Sequence, residues 1–189
     1  MRGIWLAATV MAGLWPLAAG AGALSGDAQV STQIASGGAD LGMLLEGSAP
    51  TTLHIDAHGG VTLVGGDFVR LRGGDVPPPE VVVRCEPRRE EACRAFRQVV
   101  VTVTGGQAAA WPGWVGGFRI EPATLRGAEL VSASVGSEAS TFVLACEGGD
   151  CGPARVIRFN LAFDVRIEPG AAGRARDAAV RYRVSALWQ

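Results

Sequence analysis

Two histidines and an aspartate form the pattern in this sequence that most resembles a metal site. His54, Asp56 and His58 read His-x-Asp-x-His, and in an extended strand their side chains would project from one face. Imidazole and carboxylate groups are common ligands of divalent metals. However, residues 56–60 read Asp-Ala-His-Gly-Gly, which is typical of a turn. Because a turn would direct His58 away from His54, we favour a polar strand face and predict no metal and no cofactor.

Hydrolytic chemistry has little support in the sequence. A serine hydrolase needs a serine that is activated by a histidine and an acid. The chain has no Gly-x-Ser-x-Gly, and Ser48, Ser132 and Ser134 lie in no recognisable motif. Glu and Asp residues are scattered, and nothing marks out a pair for glycoside hydrolysis. We therefore predict a non-enzymatic protein without catalytic residues, and a metal-binding or hydrolytic enzyme is the less favoured alternative.

The four cysteines form two close pairs. Cys85 and Cys93 are eight residues apart, and Cys146 and Cys151 are five apart. Four cysteines allow three pairings, among which the sequence alone does not choose. Each close pair lies at the ends of predicted strands, so we prefer local disulfides within each pair. A zinc site of four thiolates is the alternative, but neither spacing is Cys-x-x-Cys, and cysteines of exported proteins are usually oxidised.

Two tryptophans form a candidate binding surface. Trp111 and Trp114 flank a Pro-Gly pair and could form an exposed platform for a sugar or a protein partner. They could equally fold back to close one end of a sheet structure, and that is the interpretation we favour from sequence alone.

The first 23 residues are typical of a signal peptide. Arg2 precedes an apolar stretch over residues 4–17, and small residues then offer Ala-x-Ala cleavage sites that end at Ala21 or Ala23. The apolar stretch is shorter than the roughly 20 residues that span a bilayer. We therefore predict export to the periplasm, the outer cell surface or the medium.

The remaining residues, 24–189, are predicted to form one domain without a transmembrane segment. A net charge of −1 provides no basic surface for nucleic acid. Strand-type runs rich in β-branched and aromatic residues dominate, and Leu53-x-Ile55 with Val61-x-Leu63 predicts a hairpin. The main runs cover residues 81–85, 99–104, 142–146, 156–167 and 180–188.

Paired glycines separate these runs and predict tight hairpin turns. Pro77-Pro78-Pro79 predicts an extended connection, and the charged residues 86–97 predict one or two helical turns. The fold class predicted is all-β, an antiparallel immunoglobulin-like sandwich of two sheets and seven to ten strands. The seven glycine pairs begin at Gly37, Gly59, Gly65, Gly73, Gly105, Gly116 and Gly148.

Both ends of the chain resemble a family of small exported bacterial proteins of unknown function with pilin-like β-sandwiches. The likeness rests on Leu41-Gly42, on the hairpin residues 52–59, on Gly65-Gly66, and on a last strand after Pro169-Gly170. The resemblance implies an immunoglobulin-like domain at the cell surface, related to fimbrial subunits and without a catalytic site.

Fimbrial subunits of the donor-strand type complete one another with an N-terminal segment. Residues 24–36 contain the alternating Val30, Thr32 and Ile34 and could serve as such a donor, or they could be the first strand of a complete sandwich. The function predicted is a structural or binding role with other protein subunits or surface partners. A fimbrial subunit that assembles by strand exchange is the alternative.

Overall fold

The fold is described by a computed structural model over residues 31–34, 39–73, 76–85, 90–106, 113–152, 154–169 and 175–189. The predicted signal peptide and Trp111 lie outside these ranges. So do residues 24–30 and 35–36 of the predicted donor segment.

The described residues form thirteen strands and one short α-helix, α1 (Glu90–Ala95). The strands are β1 (Ser31–Ile34), β2 (Ala39–Leu45), β3 (Thr51–Ile55), β4 (Val61–Gly65), β5 (Val69–Arg72), β6 (Glu80–Arg84), β7 (Gln98–Gly105), β8 (Gly113–Ile120), β9 (Ala128–Val135), β10 (Ala139–Cys146), β11 (Val156–Ile167), β12 (Ala175–Val180) and β13 (Tyr182–Trp188).

The twelve-residue strand β11 organises the largest sheet. Its first half pairs with β6, and its second half pairs with β3 along the same edge and with β8 along the other. β1 extends this sheet beyond β6, and β4 extends it beyond β3. A second sheet has the order β13-β7-β10-β9, and a third has the order β12-β2-β5. All of these ladders are antiparallel, which confirms the all-β class.

The predicted numbers of sheets and strands are wrong, because the described residues form three sheets and thirteen strands. β2, β5, β8, β9 and all of β12 except Val180 were not predicted. Glycines interrupt the apolar runs of β2 and β8. β5 and β9 alternate apolar residues with arginines or serines over only four to five residues, a strand pattern that the sequence analysis overlooked.

Alternation along β11 builds the core as the sequence predicts. Arg158 and Arg166 are exposed, whereas every odd-numbered residue between positions 157 and 167 is buried. The rings of Phe118, Phe163 and Tyr182 meet with centroids 5.5–5.7 Å apart. Because these rings belong to β8, β11 and β13, the first and second sheets share one core. Burying each large apolar side chain contributes roughly 1.5–3 kcal/mol.

The predicted strand over residues 180–188 covers β13 and only the last residue of β12, which the sequence analysis otherwise missed. β12 pairs with β2 in the third sheet, whereas β13 pairs with β7 in the second. The alternation of buried and exposed residues continues through Arg181 at the junction. A period-2 pattern reports which face is buried and not which partner strand lies alongside, so it could not reveal the change of sheet.

Gly116-Gly117 was predicted as a turn, and this prediction is wrong. Both glycines lie inside β8, where the register against β11 shifts between Ala162 and Asp164. Gly117 has φ +63° and supplies the extra residue of a β-bulge. The bulge restores the alternation, so that Phe118 is buried and Arg119 is exposed.

The predicted turn at Gly59-Gly60, the extended proline connection and the helical segment are confirmed. Gly59-Gly60 forms the turn between β3 and β4, the prolines at 77–79 lead into β6 without joining it, and α1 lies inside the predicted helical segment. Residues 31–34 of the predicted donor segment pair with β6 of their own chain.

Two local disulfides connect the ends of strands. Cys85 after β6 bonds to Cys93 in α1 with Cα atoms 5.9 Å apart, and Cys146 of β10 bonds to Cys151 with Cα atoms 5.3 Å apart. This is the preferred pairing, and it excludes the four-thiolate zinc site. All four cysteines are buried, and two such bridges are typical of a protein that folds in an oxidising compartment.

Candidate functional site

The three residues of the His-x-Asp-x-His pattern make different contacts in the structure. Asp56 Oδ1 accepts hydrogen bonds from the backbone N–H of Gly60 at 2.8 Å and of His58 at 2.7 Å. These two bonds, that of Gly60 first, lower the pKa of the Asp56 carboxyl group. The aspartate therefore caps the turn that follows β3, as the favoured interpretation predicts. Among the described residues no group of three His, Cys, Asp or Glu side chains could hold a metal ion.

His54 instead belongs to a polar cluster that the sequence analysis missed. Its Nδ1 lies 2.7 Å from Oδ1 of Asp164, whose Oδ2 lies 3.6 Å from the guanidinium of Arg119. β3, β11 and β8 lie side by side, which brings these three residues together on the outer face of the first sheet. His54 and Asp164 are 110 residues apart in sequence, so only the strand order could have revealed the contact.

This cluster orients an imidazole but holds no nucleophile within the described residues. Asp164 is the hydrogen-bond partner that the structure gives His54. Ser48, one of the serines weighed above, donates its hydroxyl to Asp67 at 2.7 Å, and Ser132 and Ser134 lie on the exposed strand β9. The cluster therefore places an imidazole, a carboxylate and a guanidinium together on the outer face of the first sheet.

Trp114 lies on the same outer face, where it pairs across strands with Arg166. Its side chain is half-buried and lies outside the core. Beside it is a cleft of about 540 Å³, here called the Trp114 cleft. The residues that line this cleft are Thr104, Gly105, Gly106, Gly113, Trp114, Val115, Glu138 and Glu168.

Glycines position the walls of the Trp114 cleft. A Cβ atom at Gly105 would collide with the carbonyl oxygen of Val115, and one at Gly116 would collide with that of Ser137. The end of β7 and the turn between β9 and β10 can therefore lie directly against β8. Gly105 N–H donates to the Glu138 carbonyl at 2.8 Å, which holds Glu138 beside the indole.

The Trp114 cleft contains two carboxylates in different environments. Nε of Arg166 donates to Oε1 of Glu168 at 2.9 Å, so Glu168 is fixed by an ion pair. Glu138 is exposed and has no ion pair in the described part of the chain. The cleft thus combines an apolar ring face, one oriented carboxylate and one free carboxylate.

A second cleft of about 430 Å³ adjoins the Trp114 cleft through residues 104–106. Arg181 and Arg183 lie beside it and are exposed, while Tyr182 between them packs into the core. Burial raises the pKa of Tyr182 to about 12, so the phenol is neutral at physiological pH. This cleft therefore carries positive charge, in contrast to its neighbour.

Comparisons with known proteins find no matching family model, no similar curated protein and no similar solved structure. The resemblance to pilin-like exported proteins therefore stays a prediction. No helix in the described ranges is long and apolar enough to cross a membrane.

Proposed function

We propose that this protein is an exported β-sheet domain without catalytic activity, and that it binds a saccharide in the Trp114 cleft. The observation that carries the proposal is the half-buried indole of Trp114 beside Glu138 and Glu168 in a cleft of about 540 Å³.

The composition of the cleft matches the chemistry of a sugar. The face of an indole ring is a flat apolar surface, on which the C–H face of a pyranose packs. Carboxylates accept hydrogen bonds from hydroxyl groups, and the Thr104 hydroxyl can both donate and accept. A few convergent polar groups around an apolar platform are typical of small-molecule sites.

Two further observations support an exported binding domain. Both disulfides are buried and close short connections, which suits a protein that folds outside the cytoplasm. Residues 1–23 have the composition of a signal peptide. An immunoglobulin-like arrangement of the sheets, as in pilin-like proteins, is part of the same proposal.

The test is a binding screen of the purified protein against a panel of oligosaccharides, followed by titration of those that bind. Trp114→Ala should weaken binding about tenfold or more, because removal of an aromatic anchor costs at least about 1.4 kcal/mol. Glu138→Gln should weaken binding less, since an amide still accepts a hydrogen bond.

Val64→Ala is the matched control, because Val64 is exposed on β4 and lies outside the cleft. It should leave affinity unchanged. A panel in which no saccharide binds, or a Trp114→Ala variant with wild-type affinity, would overturn the proposal.

A second candidate function is a subunit that assembles by strand exchange. Its exchanged segment would be β1, a four-residue strand at an end of the first sheet, which here pairs with β6 of its own chain. If β1 instead paired with β6 of a second copy, the same ladder would link subunits. Heat-sensitive ladders on gels of native cell envelopes would support assembly. A protein that stays folded and monomeric after deletion of residues 24–36 would contradict it.

A further inference from the structure

The Trp114 cleft and the second cleft meet along one short segment at the end of β7. Thr104, Gly105 and Gly106 line both of them. The two glycines carry no side chain, so only the backbone and the small side chain of Thr104 stand between the clefts. A ligand seated on Trp114 can therefore extend across this segment into the second cleft.

The strand register gives the span of such a ligand. Arg183 of β13 and Ala139 of β10 both pair with Thr104, from opposite edges of β7. All three residues are exposed, so they share the outer face of the second sheet. Because neighbouring strands are roughly 4.8 Å apart, Arg183 and Ala139 are separated by about 10 Å, and Glu138 directly precedes Ala139. A ligand that contacts both Arg183 and Glu138 therefore spans more than one sugar ring.

The two clefts carry opposite charges. Arg181 and Arg183 beside the second cleft are exposed, and neither forms an ion pair with another described residue. A guanidinium group presents N–H donors in the geometry that a carboxylate or a phosphate accepts. In the Trp114 cleft, Glu138 and Glu168 would repel the same acidic group. The second cleft therefore favours an acid, and the Trp114 cleft disfavours one.

We infer that the saccharide bound by this protein is acidic and at least two units long, an inference that rests on the proposed function. An uncharged unit packs on Trp114, where its hydroxyl groups donate to Glu138. The next unit places its carboxylate or phosphate against Arg181 and Arg183. The charges also set the direction of the ligand, because a reversed chain would place its acid against the glutamates of the Trp114 cleft.

The first test compares acidic oligosaccharides with their methyl esters by titration calorimetry. Suitable probes are tetrasaccharides in which uncharged sugars alternate with uronic acids, as in hyaluronan and chondroitin. The acids should bind about tenfold or more tightly than the esters, because esterification removes the charge-assisted hydrogen bonds to arginine. This advantage should shrink between about 0.1 M and about 1 M salt, since the screening length falls from roughly 10 Å to roughly 3 Å.

Arg181→Gln/Arg183→Gln removes the positive charge beside the second cleft. This double variant should bind the acid and the ester with equal affinity, and its affinity for the ester should match that of the wild type. Arg72→Gln/Arg84→Gln is the matched control, because it removes the same charge from exposed positions outside both clefts. The control should keep the preference for the acid.

Oligogalacturonate, in which every unit carries a carboxylate, tests the direction of the ligand. It should bind more weakly than the alternating acids, because one of its carboxylates would face Glu138. Glu138→Gln should narrow this difference, and an unchanged difference would contradict the assigned direction. A tetrasaccharide that binds more tightly when phosphorylated than when unmodified would support the inference with phosphate as the acidic group.

The outcomes separate this inference from the proposed function. Equal affinity of the wild type for acids and their neutral counterparts, or an equal loss of preference in both double variants, would overturn the inference and leave the proposed function standing. A protein that binds no saccharide, or binds as tightly after Trp114→Ala, would overturn the proposed function and the inference with it.

Discussion

The geometry of the β-bulge at Gly117 lets us predict how much an alanine at this position would destabilise the protein. Gly117 has φ +63°, a conformation that costs an alanine roughly 1–2 kcal/mol. A Cβ atom at this position would also lie 2.7 Å from Oδ2 of Asp164. The carboxylate would have to move, which would disturb its contacts with His54 and Arg119. Partly exposed ion pairs of this kind contribute about 0–1 kcal/mol.

Gly149→Ala is the matched control for this substitution. Gly149 has φ +79°, but no atom lies within 4 Å of the position that its Cβ would take. Gly149→Ala should therefore lower the free energy of unfolding by about 1–2 kcal/mol through the backbone alone. Gly117→Ala should lower it by up to about 1 kcal/mol more, as measured by urea denaturation.

A double-mutant cycle isolates the side-chain contribution. In an Asp164→Ala background no carboxylate remains to collide with the new methyl group, so the cost of Gly117→Ala should fall to that of Gly149→Ala. The reasoning is refuted if Gly117→Ala costs no more than Gly149→Ala in the wild-type background. It is also refuted if the excess persists without the carboxylate.

Three further predictions concern single groups. Removing the Cys85–Cys93 disulfide should lower the free energy of unfolding by about 2.5 kcal/mol, and removing the Cys146–Cys151 disulfide by about 2 kcal/mol, because a shorter loop restricts the unfolded chain less. Thermal or urea unfolding under matched conditions checks both values and their order. Asp56→Asn should lower the free energy of unfolding at pH 7, and the difference from the wild type should vanish in acid. A carboxyl group with a lowered pKa stabilises the fold above its unfolded pKa of 3.8 and loses this effect as the pH falls through the folded pKa. An unchanged difference at pH 2 would contradict the capping role. Tyr182 is the only tyrosine in the sequence, so an absorbance titration of the protein should show a single phenol with a pKa of about 12. A phenol pKa near 10 in the folded protein would show that the ring is not buried.

The sequence predicts the parts of the fold that depend on local pattern. Alternating side chains locate β11 to its observed bounds, and the turn at Gly59-Gly60 follows from residues that favour turns. The disulfides follow from short spacings at strand ends. In each case the physical cause acts within about a dozen neighbouring residues, so the sequence contains the relevant information.

The missed features depend on contacts between distant segments. Gly116-Gly117 reads as a turn, because a bulge and a turn both need a glycine with positive φ and only the partner strand distinguishes them. His54 meets Asp164 only because β3 lies beside β11. Trp114 gains Glu138 as a neighbour only because Gly105 and Gly116 let two other segments approach β8. The sequence shows which residue types are present, but it does not show which of them lie close together in the fold.

The most direct test of the proposed binding site is the amide and indole NMR spectrum of the protein during titration with a saccharide from the screen. Each tryptophan gives one indole N–H signal, and Trp188 in the buried core serves as an internal reference. The account predicts that the Trp114 indole signal and the Glu138 and Glu168 amide signals shift with the binding curve, while the Trp188 signal does not. A ligand that binds without shifting the Trp114 signal would contradict the account.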